Sequence, residues 1–98
     1  MAENITSLRQ LRELAGQVVK WSEDGGKTWE YGRLQDWPEP MFLSDKFDLG
    51  YSCSVELKPD GVDRMIGLTV RMIRDGLIVQ AATPEEARGK RFAYDPLQ

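Results

Sequence analysis

The sequence predicts a small α+β protein, with an antiparallel sheet of about five strands, an N-terminal helix and a short C-terminal helix. Three patterns lead to this class. Apolar residues recur at helical spacing near the N-terminus, β-branched and aromatic segments flank an Asp-Gly-Gly turn, and residues 51–58 alternate strictly between apolar and polar. The 98 residues suit a single domain over 1–98, with a modest core that needs no disulfide or metal.

The N-terminal helix is predicted over about residues 5–15. Ser7 and Gln10 have the spacing of a capping box, in which the serine hydroxyl accepts from the amide three residues on and the glutamine returns a bond. Gly16 suits the left-handed position that ends a helix. The residues at helical spacing are Ile5, Leu8, Leu11 and Ala15.

Residues 22–29, Ser-Glu-Asp-Gly-Gly-Lys-Thr-Trp, predict a tight hairpin turn. Asp24 supplies a side-chain acceptor for backbone amides, and Gly25 and Gly26 supply positive φ angles. The pattern Ser-x-Asp-x-Gly-x-Thr-Trp resembles the Asp-box hairpin of sialidases and many unrelated secreted β-proteins. That resemblance implies a structural turn rather than a catalytic site, and a single copy argues against a propeller, whose blades would repeat it.

The remaining elements are predicted to form a hairpin, a long loop and a three-stranded meander. Apolar residues on both sides of the Asp-Gly-Gly turn give the hairpin, and residues 51–57 form the next strand, ended by a Pro-Asp-Gly turn. Residues 64–73 alternate as another strand, joined by Arg74-Asp75-Gly76 to a last strand over 77–81. Thr83 and Pro84 then begin the short C-terminal helix, which ends near Gly89.

Charge is unevenly distributed along the chain, whose formal net charge is −3. Residues 23–63 carry ten acids against four bases, a net of −6, and residues 64–91 carry six bases against three acids, a net of +3. The acidic middle favours a partner with a basic surface and repels nucleic-acid phosphates. The same acids also serve simply to solubilise turns and loops.

The sequence also bears on compartment. No apolar run approaches the roughly 18 residues that a membrane span needs, so no membrane partner is predicted. No signal peptide is apparent at the N-terminus, and the single cysteine cannot form an internal bridge. We therefore expect a cytoplasmic protein.

The absence of histidine removes the usual general base and the commonest metal ligand. We therefore expect a protein that is not an enzyme and that holds no metal or cofactor. Cys53 lies on the apolar face of its strand, which favours core packing over a reactive thiol. A carboxylate-dependent enzyme remains an alternative, because acids distant in sequence can meet in the fold.

The segment from Gln35 to Gly50 is the strongest candidate for function. Sixteen residues without clear periodicity exceed the usual connection, and such loops are often functional. Its aromatic and methionine side chains are enriched at interfaces, and its acids would steer a basic partner. The alternative is that these aromatics fold back and close the core. The predicted partner-binding residues are Trp37, Glu39, Met41, Phe42, Asp45, Phe47 and Asp48.

A second hypothesis is a sheet that binds single-stranded nucleic acid by stacking bases on exposed aromatic residues. The sequence isoelectric point near 4.9 and the lack of a dominant basic stripe argue against it. Its candidate residues are Lys20, Trp21, Lys27, Trp29, Tyr31 and Arg33.

The leading hypothesis is therefore a non-enzymatic interaction protein that binds another protein through the 35–50 segment. Small, acidic, histidine-free domains of this kind are common among bacterial and phage accessory proteins, some of which inhibit a host enzyme by covering a basic surface. Edge strands of a small open sheet can also pair between chains, so a homodimer is a further partner hypothesis.

Overall fold

A computed structural model describes residues 3–43, 48–57 and 63–87. Its class is the predicted one, a curled antiparallel sheet with an N-terminal helix and a short C-terminal helix. In chain order the elements are α1 (Leu8–Glu13), β1 (Val18–Ser22), β2 (Glu30–Leu34), β3 (Met41–Leu43), β4 (Asp48–Leu57), β5 (Asp63–Thr69), α2 (Val70–Arg74), β6 (Ile78–Ala81) and α3 (Pro84–Ala87).

The sheet is centred on β4, the longest strand. One edge of β4 pairs with β5, and the other pairs first with β2 and then with β3. Leu34 faces Cys53 and Met41 faces Gly50, so the six residues 35–40 lie beside only two residues of β4, 51 and 52. Residues 35–40 therefore form a large bulge in what is otherwise one continuous edge. Beyond β2 follow β1 and β6.

One face of the sheet carries the core. Because side chains alternate along a strand, the fully buried Tyr51 and Cys53 of β4 point to the same face, where they join Leu34, Leu68 and Trp21. Helix α1 packs on this cluster through the buried Leu11. The prediction that Cys53 is a core residue is confirmed.

Helix α1 spans Leu8–Glu13 and is shorter at both ends than the predicted 5–15, although its N-cap is the predicted Ser7. The Ser7 hydroxyl accepts from the Gln10 amide at 3.2 Å, and Gly16 has a φ of +78°. In a standard capping box the glutamine side chain accepts from the amide of the capping residue, here Ser7. In this helix Gln10 Oε1 instead accepts from the Thr6 amide, one residue earlier, at 2.8 Å. Before the helix, the Ile5 amide donates to Val79 O at 2.7 Å, so the N-terminal segment covers the outer edge of β6.

Residues 64–73 do not form one continuous strand as predicted. Strand β5 ends at Thr69, whose hydroxyl accepts from the Met72 amide at 3.2 Å and so caps helix α2. The sequence did not reveal this change from strand to helix. Ile66, Leu68, Val70 and Met72 alternate as in a strand, but the last two also fit the first helical turn after a capping Thr69.

The predicted three-stranded meander is wrong in its last connection. Helix α2 carries the chain away from β5, and β6 pairs with β1 instead, with Val79 opposite Trp21. The Arg74-Asp75-Gly76 segment consequently ends helix α2 and is not a hairpin turn. The predicted short helix after Thr83 is confirmed as α3, and its predicted end at Gly89 lies outside the described residues.

Candidate functional site

The predicted binding loop is part strand in the structure. Met41–Leu43 pair with Asp48–Gly50 as β3 and the start of β4, so only the bulge over 35–40 is irregular within the described part of this segment. The prediction of one long loop over 35–50 is therefore corrected. Two prolines in the bulge, Pro38 and Pro40, cannot donate to a strand ladder, which accounts for the interruption. Two candidate binding residues, Asp45 and Phe47, lie outside the described residues.

Trp37 belongs to the cover of the core. Its ring stacks on that of Tyr51, with centroids 5.8 Å apart and planes inclined by 26°. The indole is half-buried and packs against the core cluster. Burial is the main reason that the pKa of Tyr51 is raised, with the charge of Glu39 adding to the effect. For Trp37, the alternative of core closure therefore describes the structure better than a free binding residue.

Phe42 and Leu49 form an exposed apolar pair at the end of the core face. They lie directly opposite each other across β3 and β4, and Leu49 is two residues from the buried Tyr51 on the same face. Phe42 is 61% exposed and Leu49 is 41% exposed. Met41, which is 54% exposed, lies beside them on the opposite face of β3. We call Met41, Phe42 and Leu49 the end patch.

Two acidic residues border the end patch. The Glu39 carboxylate lies 3.3 Å from Arg12 Nη1 of helix α1, in an exposed ion pair. The Asp48 carboxylate accepts from its neighbour's amide, Leu49 N, at 2.8 Å and from Arg71 N at 2.5 Å. Because Asp48 has no ion pair among the described residues, its charge is not cancelled by a side chain. The border of the patch is acidic on the β4 side.

A shallow groove adjoins the end patch at Pro40. It has a volume of about 240 Å³ and separates helix α1 from the bulge. Leu8 and Pro40 give it an apolar part, while Arg9, Arg12 and Glu39 give it charged walls. The groove extends the surface around Phe42 toward α1.

Leu49 and the groove residues of α1 were not among the sequence-based candidates. Leu49 could have been found, because the alternation through Tyr51 and Cys53 extends back to it by one more step. The contribution of α1 could not, because only the packing of the helix beside the bulge brings Arg12 to Glu39.

The residues of the nucleic-acid hypothesis do not form an exposed stacking surface. Trp21 is buried in the core and donates from Nε1 to Glu30 Oε2 at 3.0 Å, contrary to its predicted exposure. Trp29 is covered on one side by Lys20, whose Nζ lies 4.8 Å from the ring centroid and 3.2 Å from Glu86 Oε2. Both the ring and the cation are therefore engaged within the molecule.

Two further residues of that hypothesis also serve the fold. The Arg33 guanidinium donates from Nη1 to Gly16 O at 2.8 Å and is half-buried. The backbone amide of Lys27 donates to Asp24 Oδ1 at 3.1 Å within the turn, while the residue itself is exposed. Tyr31 is half-buried opposite Lys20 in the hairpin.

The Asp-box turn has the predicted construction. Asp24 Oδ1 accepts from the Ser22 hydroxyl at 2.6 Å and from Thr28 N at 2.9 Å, and Oδ2 accepts from the Thr28 hydroxyl at 2.6 Å. Gly25 and Gly26 have φ angles of +78° and +98°. The bonds from Ser22 and Thr28 hold the pKa of Asp24 well below its ordinary value of 3.8. This carboxylate acts as a fixed acceptor that closes the hairpin.

Cys53 is placed unfavourably for thiol chemistry. Burial raises the pKa of the Cys53 thiol to about 12, so the reactive thiolate is scarce at neutral pH. Among the described residues, no group of three or more histidine, cysteine, aspartate and glutamate side chains could hold a metal ion. In the same part of the chain, no helix is both long and apolar enough to cross a bilayer.

No protein-family model, curated protein sequence or solved structure matches this chain. What the protein does must therefore be inferred from its own residues, above all from the end patch and its acidic border.

Proposed function

We propose that this protein is a non-enzymatic binding module that captures another protein through the end patch. The observation that supports this most strongly is the pairing of Phe42 and Leu49, which leaves two large apolar side chains exposed side by side where the core face ends. Single exposed apolar residues are common, whereas adjacent ones with an acidic border mark interaction surfaces.

The end patch can supply enough free energy to anchor a complex. Complete burial of a phenylalanine or leucine side chain is worth about 1.5–3 kcal/mol, and each 1.4 kcal/mol changes a dissociation constant by about tenfold. Phe42 and Leu49 are also held by strand pairing, so little backbone freedom is lost when they are covered. These properties are those of a binding hot spot.

The charge around the patch favours a partner with a basic surface. Asp48 is close to the apolar pair and has no ion pair among the described residues, and the whole chain is acidic, with a net charge of −3. A basic partner would be steered toward this end of the molecule. A cytoplasmic location and a role as an inhibitor of that partner are parts of the same proposal, the first favoured by the lone, buried cysteine.

Affinity capture from an extract of the native host tests this proposal. We expect Phe42→Ala to lower the yield of the captured protein at least about tenfold, with an unchanged melting temperature. Met65→Ala is the matched control, because Met65 is 44% exposed but lies on β5 opposite Ser54, four residues along β4 from Gly50 and outside the end patch. Equal capture by both variants would refute a role for the end patch.

A further inference from the structure

We infer that the partner binds as an extended segment that adds a strand to the outer edge of β3, with basic side chains next to the acidic border. This inference rests on the proposed function and specifies the partner chemistry of the same surface. The proposal combines three properties of β3: an unshared edge, exposed side chains on both faces and acidic surroundings.

The outer edge of β3 is available for pairing within the described residues. Met41–Leu43 pair with β4 on one side, and no second strand of residues 3–43, 48–57 and 63–87 pairs with them. The outer edge of β6, in contrast, is covered by the N-terminal segment through the Ile5–Val79 hydrogen bond and the Asn4–Gln80 bridge. An unshared strand edge presents amides and carbonyls that an extended peptide can pair with.

The side chains of β3 suit strand addition better than docking of a helix. Met41 and Phe42 are consecutive and therefore point to opposite faces of the sheet, and both are more than half exposed, at 54% and 61%. A helix would cover one face only. A strand beside β3 places alternate side chains on both faces, so one apolar residue can cover Phe42 and the next can cover Met41.

The negative charge near β3 favours a basic partner segment. Asp48 lies opposite Leu43 in the β3–β4 pair, and Glu39 precedes β3 by two residues. A strand added outside β3 would lie two strand spacings, about 10 Å, from β4, and Glu39 is already paired with Arg12. Lysine or arginine in that strand would therefore be attracted across β3 to Asp48 and to the net charge of −3 of the chain, whereas a second copy would be repelled by the same net charge. We therefore assign the edge to a basic, extended partner segment rather than to self-pairing.

Peptides of defined chemistry test this inference by NMR. The probe is a capped peptide with two consecutive valines flanked by lysines, which places one valine on each face of the sheet, beside Met41 and Phe42. Matched controls replace lysine with glutamate, or carry N-methyl groups on alternate amides, which remove strand hydrogen bonds and keep the side chains. We expect the lysine peptide to shift the amide signals of residues 41–43, and both controls to bind at least about tenfold more weakly.

The outcomes separate this inference from the proposed function. Strand addition would be overturned if the N-methylated peptide bound equally well, or if the lysine peptide did not bind at millimolar concentration. Neither result would affect host-protein capture through Phe42. A dimer that Phe42→Ala dissociates in sedimentation experiments would overturn the basic partner in favour of a second copy. Host-protein capture that Phe42→Ala leaves unchanged would remove the proposed function itself.

Discussion

At the scale of single residues, Trp37 and Phe42 have different roles although both are aromatic and lie five residues apart. Trp37 turns back onto Tyr51 and shields the core, and Phe42 points outward from an edge strand. Composition alone treats them alike, because both residue types are enriched at interfaces and in cores. The structure divides the predicted binding residues between these two roles.

This division predicts different effects on stability. We expect Trp37→Ala to lower the free energy of unfolding by about 2 kcal/mol, because it removes a half-buried ring stacked on Tyr51. Phe42→Ala should change it by less than about 0.5 kcal/mol. Urea denaturation of the two variants gives both values. Equal losses would mean that Phe42 is also part of the core.

Asp24 predicts a dependence of stability on pH. Its pKa is lower in the folded protein than its ordinary value of 3.8, so between these two values the unfolded chain binds more protons. Its contribution is therefore present at neutral pH and is lost as the pH falls below about 3.8 toward the folded value. We expect wild type to exceed Asp24→Asn in denaturation midpoint at pH 7, and the difference to shrink in acid. A difference that stays constant with pH would contradict this role.

At the scale of elements, features set by neighbouring residues were predicted better than strand pairings between distant parts of the chain. The capping residues of α1, the Asp-box hairpin and the start of α3 are each encoded within a few neighbouring residues, and each is found. The alternation of β4 holds for the buried Tyr51 and Cys53, whereas Ser54, predicted on the exposed face, is also buried. The pairing of β6 with β1 depends on where helix α2 sends the chain, which no local pattern specifies. Strand β3 was missed for a similar reason, since three residues flanked by a proline bulge carry no detectable period.

The same limit applies to the candidate site. Met41, Phe42, Glu39 and Asp48 were predicted from residue type, and the structure brings them to one end of the sheet. Their arrangement as strands, with Leu49 opposite Phe42, required the register of β3 on β4.

The junction of β3, β4 and β5 depends on Gly50. A Cβ at this position would collide with the backbone carbonyl of Leu68 and lie 2.8 Å from Thr69 Cα, and neither backbone atom can move aside without disturbing the β4–β5 pair. We expect Gly50→Ala to destabilise the protein by about 1–3 kcal/mol. Ser52→Ala, two residues along on the same face of β4, is the control and should stay within about 0.5 kcal/mol. Similar denaturation midpoints for the two variants would mean that β4 and β5 can accommodate a Cβ at position 50, contrary to this prediction.

At the scale of the whole molecule, the two ends of the sheet differ in their contacts: one is closed by hydrogen bonds and an ion pair, and the other exposes apolar side chains. The hairpin end is closed by the Asp-box bonds and by the Lys20–Glu86 ion pair, which ties α3 to β1. The β3–β4 end carries the exposed apolar residues and the acidic border. Because of this difference, we place the proposed binding surface at the end patch and not at the aromatic residues of the hairpin.

Hydrogen–deuterium exchange, measured on the protein alone and in complex with a host protein captured as proposed, tests this difference between the two ends of the sheet most directly. We predict slower amide exchange in the complex over residues 41–43 and 48–50, with residues 18–34 unchanged. Protection concentrated in the hairpin, with the end patch exchanging as in the free protein, would contradict the account.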